Sequence, residues 1–357
     1  MQLTQLKINY LICAFIYLIY LLFNFKIFLL IFGLIVFTLP FLDIGKEIDK
    51  SHGIEGKNKS RLGGFLILLA MIFSYYFINS FNFEDFVIEN FNFYLIVFLA
   101  ISLLGFVDDI LGRLGHLTRL YFNIFAVFIL LYTNEAFLFN ETNFQLINLL
   151  LEFKFVTYLL TIFIIVGFIN ACNISDGANG ILSGISLIIF LLFYFETGNL
   201  IYFTIFEIIL FFFIYNMLIG KVYLGDMGSY LLGFLISTNS LYLYSTGVLS
   251  AGILACILFY PSIEVLMAII RRSIHFKNPF LPDNNHLHNL IYKKIFTKKF
   301  FILNPNSTTG TIILLIFTFP GLILYFILSN DYLYAYWILF ILQIVSYLTI
   351  YKYLKIN

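Results

Sequence analysis

Long apolar runs broken by short polar strings set the rhythm of this chain. Runs near 63–80, 92–107, 120–139, 155–172, 180–195, 199–219, 229–246, 248–270, 310–328 and 333–351 each predict one helix. A helix that crosses a bilayer needs about 20 such residues. Residues 8–42 precede them, as one long span or as two short ones broken at Asn24 and Lys26. The expected fold is all-α: a polytopic integral membrane bundle of about 11 transmembrane helices, or about 12 if 8–42 crosses twice. Lipid-exposed open sheet is excluded, because backbone groups in hydrocarbon need internal partners. No internal repeat and no separate soluble domain is evident, so 1–357 reads as a single membrane domain. The N-terminus lacks a short apolar core with a small-residue cleavage site, and no removable signal peptide is expected.

Composition supports the same solvent. The chain is 62% hydrophobic and 11% charged, against roughly 25% charged for an ordinary soluble domain. That much apolar surface needs lipid around it. A net charge of +1 gives no electrostatic case for nucleic acid. Cys13, Cys172 and Cys256 lie in apolar runs without metal or disulfide spacing, and read as buried inert thiols.

Charge also orients the chain. With 43–62 in the cytoplasm and alternation from there, all of the 20 Lys and Arg residues fall on the cytoplasmic side except Lys7, Lys26 and Lys154. The opposite loops carry acids such as Glu84, Asp85, Glu135 and Asp331. This is a strong positive-inside pattern. The unusual polar strings then all face the cytoplasm, in segments 43–62, 108–119, 173–180, 220–228 and 271–309. They are RLGG (61–64), GFVDDILG (105–112), NACNISDGANG (170–180), VYLGDMGS (222–229) and RRSIHFKNPFLPDNNHLHN (271–289). Charges at membrane depth cost about 2.5–3.5 kcal/mol each on insertion scales, and mark functional sites by default.

Asp108 and Asp109 are adjacent, so on a helix they point about 100° apart. At a frayed helix end both still address one site. Two close carboxylates resist ionising together unless a cation lies between them. The bland alternative is a solvated helix end beside Arg113. Asp226 sits between glycines that let the backbone turn tightly and approach a ligand; the bland alternative is a polar turn. The three acids form an oxygen-only set that suits Mg²⁺ or Mn²⁺ rather than zinc.

Asn170 and Asn173 share a helix face, and Asp176 extends that stripe before Gly177 breaks it. Amides carry both donor and acceptor and suit a nucleobase edge or a sugar hydroxyl. Asn179 ends the string. Interhelical amide bonding is the bland alternative. In the fifth string Arg271, Arg272 and Lys277 are placed to clamp phosphate, or to anchor the chain as plain positive-inside residues. His286 and His288 are two apart and in a strand would share a face; no third ligand for zinc is apparent. Pro279 and Pro282 keep that loop from being one helix. Gly63 and Gly64 suit close helix packing, while Arg61, with Lys57 and Lys59, suits an anionic lipid headgroup.

Together the five strings resemble one family, the polyprenyl-phosphate N-acetylhexosamine-1-phosphate transferases. The resemblance covers roughly 40–300, in order and on one face. It implies transfer of a sugar phosphate from a UDP-N-acetylhexosamine to undecaprenyl or another polyprenyl phosphate, with release of UMP and a requirement for Mg²⁺ or Mn²⁺. It implies catalytic roles for Asp108, Asp109, Asp226, His286 and His288. Asp226 and Asp109 become the metal ligands. Arg61, Asn170, Asn173, Asp176, Asn179 and Arg272 become substrate-binding residues. The His-x-His loop of the family, with its Pro-Phe-x-Pro-Asp lead, matches Pro279, Phe280, Pro282, Asp283, His286 and His288. The implied place is the cytoplasmic face of a bacterial inner membrane, with a homodimer admissible. The implied pathway step is the start of a cell-envelope glycan such as O-antigen, teichoic acid or capsule.

Three positions depart from the family pattern. Ser60 stands where proline is usual, Asn284 where arginine is frequent, and Asn179 where the string commonly ends in aspartate. The last removes one charge from the expected pocket, and an altered donor preference is the expected consequence. RLGG and HLHN favour the GlcNAc-type branch over the phospho-MurNAc-pentapeptide transferases. The CDP-alcohol phosphotransferases want Ala-Arg after Asp-Gly, which SDGANG lacks. A secondary transporter would carry polar breaks near the midplane and repeated halves, and neither is visible.

Overall fold

The computed structural model describes Cys13 and residues 59–77, 90–112, 114–142, 145–274, 284–296, 303–328 and 332–356. The expected span or spans over 8–42 (Cys13 apart), Lys57, Arg113, Lys277, Pro279, Phe280, Pro282 and Asp283 lie outside the described residues. In chain order the helices are α1 Gly63–Phe77, α2 Phe91–Leu111, α3 His116–Thr133, α4 Gln145–Leu151, α5 Lys154–Ser175, α6 Ile181–Thr197 and α7 Leu200–Leu218. They continue with α8 Gly225–Ser245, α9 Ala251–Ile257, α10 Phe259–Ile274, α11 Leu287–Ile295, α12 Pro305–Leu328 and α13 Leu333–Ile356. Among the described residues there is no strand, only an isolated parallel bridge between Ser60 and Val222.

The chain is therefore an all-α polytopic membrane protein. By length and apolarity six helices qualify as spans: α2, α3, α5, α7, α12 and α13. The α9–α10 pair makes a seventh if it is one broken span. The remaining expected spans fall short for identifiable reasons. The start of α1 and α6 are apolar but short, and 8–42 is outside the described residues. α8 is long enough but too polar.

α8 tolerates that polarity because it is the buried centre of the bundle, packed by α1, α2 and α5. Several of its hydroxyls and its amide find partners within the bundle, Ser240 Oγ excepted. Ser237 Oγ donates to Gly233 O at 2.7 Å, and Asn239 accepts from Tyr202 Oη at 2.9 Å. Gly233 lets α8 cross α5 closely, since a Cβ there would lie 2.9 Å from Ile169 Cα. The expected single helix over 248–270 is instead bent by 73° between α9 and α10. Pro261 has no N–H for the carbonyl of Ile257, one turn back. Gln343 Nε2 of α13 donates to Cys256 O at 2.9 Å and to Phe317 O at 2.6 Å, satisfying carbonyls at the bend and in the π-turn Leu314–Thr318.

Candidate active site

Residues 60–64 run alongside 221–224, and this pairing builds the floor of the site. Ser60 N donates to Lys221 O, Tyr223 N to Ser60 O, Gly63 N to Tyr223 O and Gly64 N to Leu224 O, all within 2.7–3.0 Å. The two glycines admit the approach. A Cβ on Gly64 would sit 2.1 Å from Gly228 N. The packing expected of RLGG is thus a backbone-to-backbone seam with the start of α8.

That seam turns Arg61 into the acid cluster rather than toward a lipid headgroup. Its guanidinium is 2.8 Å from Asp226 Oδ1 and 3.3 Å from Asp109 Oδ1. Asp226, expected in a loop, lies in the first turn of α8. The helix starts there because Asp109, at the end of α2, caps it from outside. Asp109 Oδ1 accepts from Asp226 N and Oδ2 from Met227 N, both at 2.9 Å. A carboxylate at a helix N-terminus meets the orphan N–H groups and the positive end of the dipole. Gly225 turns with φ +73°, where a Cβ would lie 2.3 Å from Arg61 O.

Asp108 completes the cluster. Its Oδ1 accepts from Leu114 N at 3.1 Å, and its Oδ2 is 2.6 Å from Arg119 Nη1. The same Arg119 nitrogen is 3.0 Å from Asp226 Oδ2. Asn173 Nδ2 donates to Asp226 Oδ1 at 3.1 Å. Asp226 is therefore the hub where the segment leading into α1, together with α3 and α5, meets α8. Asp176 lies within electrostatic reach of Arg61, Asp226 and Asp109. Burial first, then the neighbouring acids, push its carboxyl well above the usual range, with Arg61 opposing. Among the described residues its carboxylate takes no hydrogen bond.

The histidines form a second layer. The string does not fold as a strand: His286 precedes α11 and His288 lies in its first turn. The rings stack at 5.3 Å with 5° between planes. Both are held from below by buried side chains of α10 and α13. Glu264 Oε2 pairs with His286 Nδ1 at 2.8 Å, while its Oε1 accepts from Leu287 N at 2.9 Å and Tyr347 Oη at 3.0 Å. Tyr260 Oη lies 3.0 Å from His288 Nδ1. Gly177 closes the link to the acid cluster, since a Cβ there would fall 2.0 Å from His288 Nε2. The Asp-Gly of NISDG thus serves two purposes, with Asp176 in the cluster and Gly177 under the imidazole.

Burial and the charge of His286 hold the His288 imidazole down to about 3, from 6.5. Protonation in the unfolded chain then opposes folding as pH falls from about 6.5 toward 3. Stability contributed by His288 is present above that window and lost within it. Thermal unfolding between pH 7 and 5 should show a larger loss for the native protein than for His288→Asn; parallel profiles would contradict this. Glu264→Gln keeps an acceptor for Leu287 N but loses the charge beside His286. Turnover should fall about 10–100-fold, as for other outer-layer partners, and unaltered kcat would contradict the positioning role.

Three expected substrate residues stand apart from the acid cluster. Asn170 spends its Nδ2 on Val166 O of its own helix, at 2.7 Å. Arg272 lies half-buried in the last turn of α10. Asn179 is buried in a different polar knot. Its N–H donates to Asn306 Oδ1 at 2.7 Å and its Nδ2 to Ser307 Oγ at 3.1 Å; that hydroxyl donates to Met217 O at 2.7 Å. Asn216 Oδ1 accepts from Gly180 N at 2.8 Å. This chain of donors explains an amide at 179: an acid would have no proton for Ser307, whose own proton is engaged. Asn179→Asp should therefore lose about 1–3 kcal/mol of stability, read as a lowered Tm. A Tm equal to the parent's would show that the knot rearranges freely.

Arg119, Glu264, Asn306 and Ser307 were not singled out by sequence reasoning. Arg119 had a signal, a lone cation in the first turn of an apolar helix. Glu264 had one too, as an acid inside a predicted span.

Residues 91–244 match the model of glycosyl transferase family 4. They include Asp108, Asp109, Arg119, Asn173, Asp176 and Asp226, the greater part of the cluster. The chain is 36% identical over 130 residues to an undecaprenyl-phosphate alpha-N-acetylglucosaminyl 1-phosphate transferase of Thermotoga maritima, covering 36% of this chain and 41% of that protein. It is 33% identical over 147 residues to a probable undecaprenyl-phosphate N-acetylglucosaminyl 1-phosphate transferase of Bacillus subtilis (39% and 41%). It is 31% identical over 158 residues to the undecaprenyl-phosphate alpha-N-acetylglucosaminyl 1-phosphate transferase of Escherichia coli K12 (40% and 42%). The matches thus span about two fifths of these relatives' length. RLGG and the histidine layer lie outside the matched family segment.

Proposed function

We propose that this protein transfers an N-acetylhexosamine 1-phosphate from a UDP-sugar to undecaprenyl or another polyprenyl phosphate, releasing UMP. The observation that carries the reading is the convergence of Asp108, Asp109 and Asp226 with Arg61, Arg119 and Asn173 at one end of the bundle. The relatives' names supply the polyprenyl acceptor and make N-acetylglucosamine the first sugar to test. Positive-inside charge supports a cytoplasmic mouth, where UDP-sugars are available.

Chemistry follows from the residues. An oxygen of the lipid phosphate attacks the β-phosphorus of the UDP-sugar. The bond from that phosphorus to the bridging oxygen breaks, and UMP leaves with it. Both partners are anions, so the site must neutralise charge and align the attack. Among the described residues no three His, Cys, Asp or Glu side chains already surround one point. The donor set nonetheless fits a hard divalent cation. Asp108, Asp109, Asp176 and Asp226 outnumber Arg61 and Arg119, and the carboxylate of Asp176 accepts no hydrogen bond among the described residues. We assign the ion to Asp226, Asp176 and Asp108; Asp109 serves chiefly by capping α8. Bound Mg²⁺ or Mn²⁺ would neutralise the diphosphate. Arg61 and Asn173 hold Asp226 in place, and the stacked histidines, braced by Glu264 and Tyr260, cover the approach beside Gly177. A lipid phosphate is already anionic near neutral pH, so Asp108 acts in steering more than in proton abstraction.

The test uses purified protein, Mg²⁺, undecaprenyl phosphate and a panel of UDP-N-acetylhexosamines. UMP should appear with at least one sugar and vanish with chelator. Absence of UMP from every sugar would sink the reading.

A further inference from the structure

We infer that Arg119 is an exchange cation. It clamps Asp108 to Asp226 when no divalent ion is bound, and leaves that place to bind substrate phosphate when one is. The inference rests on the transferase reading for the identity of the substrate.

The geometry is unusual for a structural ion pair. One nitrogen, Nη1, bridges two acids, 2.6 Å from Asp108 and 3.0 Å from Asp226. That is where a metal ion shared by the two carboxylates would sit. A guanidinium and a divalent ion cannot share the gap, since both are cations and both need the same oxygens. Arg61 is differently placed. Its backbone is fixed by the 60–64 seam, and it meets Asp226 through the other oxygen, Oδ1.

Arg119 also has an unused donor. Its Nε is buried without a partner. Four residues deeper on the same helix face, Asn123 is fully buried, and both its amide nitrogen and oxygen lack partners. Unsatisfied groups of this kind are costly in a bundle core and point to a second arrangement that uses them. Nε and one Nη present the two parallel donors of the guanidinium fork, which suit phosphate. With Nη1 held by the two acids the guanidinium is pinned, so its Nε–Nη2 fork cannot turn toward a phosphate. Release of Nη1 by the metal ion frees it. The ion and the arginine would then enter service together, which couples metal loading to capture of the anionic substrate.

The experiment titrates Mn²⁺ into the full-length protein in detergent, without substrate, and follows free Mn²⁺ by electron paramagnetic resonance. Arg119→Gln no longer has ion pairs to break, and should bind Mn²⁺ about tenfold more tightly or better, as expected when a unit charge at this range is removed. It should also lose most turnover, and Mn²⁺ should raise its Tm more than the parent's. Arg119→Lys, which keeps the charge, should retain the parent's weaker Mn²⁺ affinity. If Arg119→Gln folds only with metal, chelator-induced Mn²⁺ release should be slower than from the parent. Equal or weaker Mn²⁺ affinity in Arg119→Gln, or faster release, would overturn the exchange. A parent that shows the affinity difference but makes no UMP would sink the transferase reading and leave the exchange standing. An active parent without the affinity difference would do the reverse.

Discussion

Asp226→Asn is expected to lose about a thousandfold in turnover, the upper range for removing one electrostatic group from a transition state, while the protein still folds and inserts. Asp226 meets Arg61, Arg119 and Asn173, and no other acid described here has as many side-chain partners in the cluster. An amide keeps the volume and can still accept from Asn173 or one arginine. It removes the charge, and with it the strongest oxygen donor for a divalent ion. Folding should survive because the cap of α8 is made by Asp109, not by Asp226 itself. Steady-state UMP release and Tm, measured on the same preparation, separate the two effects. Wild-type turnover in Asp226→Asn would remove the hub from the mechanism. A collapsed Tm would mean that its role is mainly structural.

Gly64→Ala is expected to act by the opposite route, on structure first. The new methyl would meet backbone, Gly228 N at 2.1 Å and Gly228 Cα at 2.4 Å, with no flexible side chain to yield. Overpacking of this kind costs about 1–3 kcal/mol and sometimes more. The strain falls on the seam that carries Arg61 to Asp226, so activity should drop along with Tm. Thermal unfolding and UMP release should therefore fall together. An unchanged Tm would show that the 60–64 segment does not dock as described.

How much of this was legible in the sequence depends on the range of the contact. The runs and the polar strings are local, and they correctly gave an all-α bundle with its polar chemistry at one end. Helix starts were less legible because their causes lie far along the chain. α8 begins at Gly225 rather than 229 because a carboxylate from α2, more than a hundred positions earlier, meets its first amides. The bend at Leu258 has a local cause in Pro261, but its stabiliser, Gln343, is remote. In the sequence Arg119 reads as one more positive-inside residue, which hides its part in the cluster. Asn179 shows the same limit from the other side. Its place in the NISDGANG string suggests the substrate pocket, whereas its partners Asn306 and Ser307 come from the first turn of α12, more than a hundred positions away.

The central claim is that sugar and phosphate move together from nucleotide to lipid. The most direct measurement supplies UDP-N-acetylglucosamine labelled separately in its β-phosphate and in its sugar, with undecaprenyl phosphate and Mg²⁺. Both labels should enter the lipid phase in equal molar amounts while UMP appears in the aqueous phase. Sugar label alone in the lipid, with UDP released, would contradict the account.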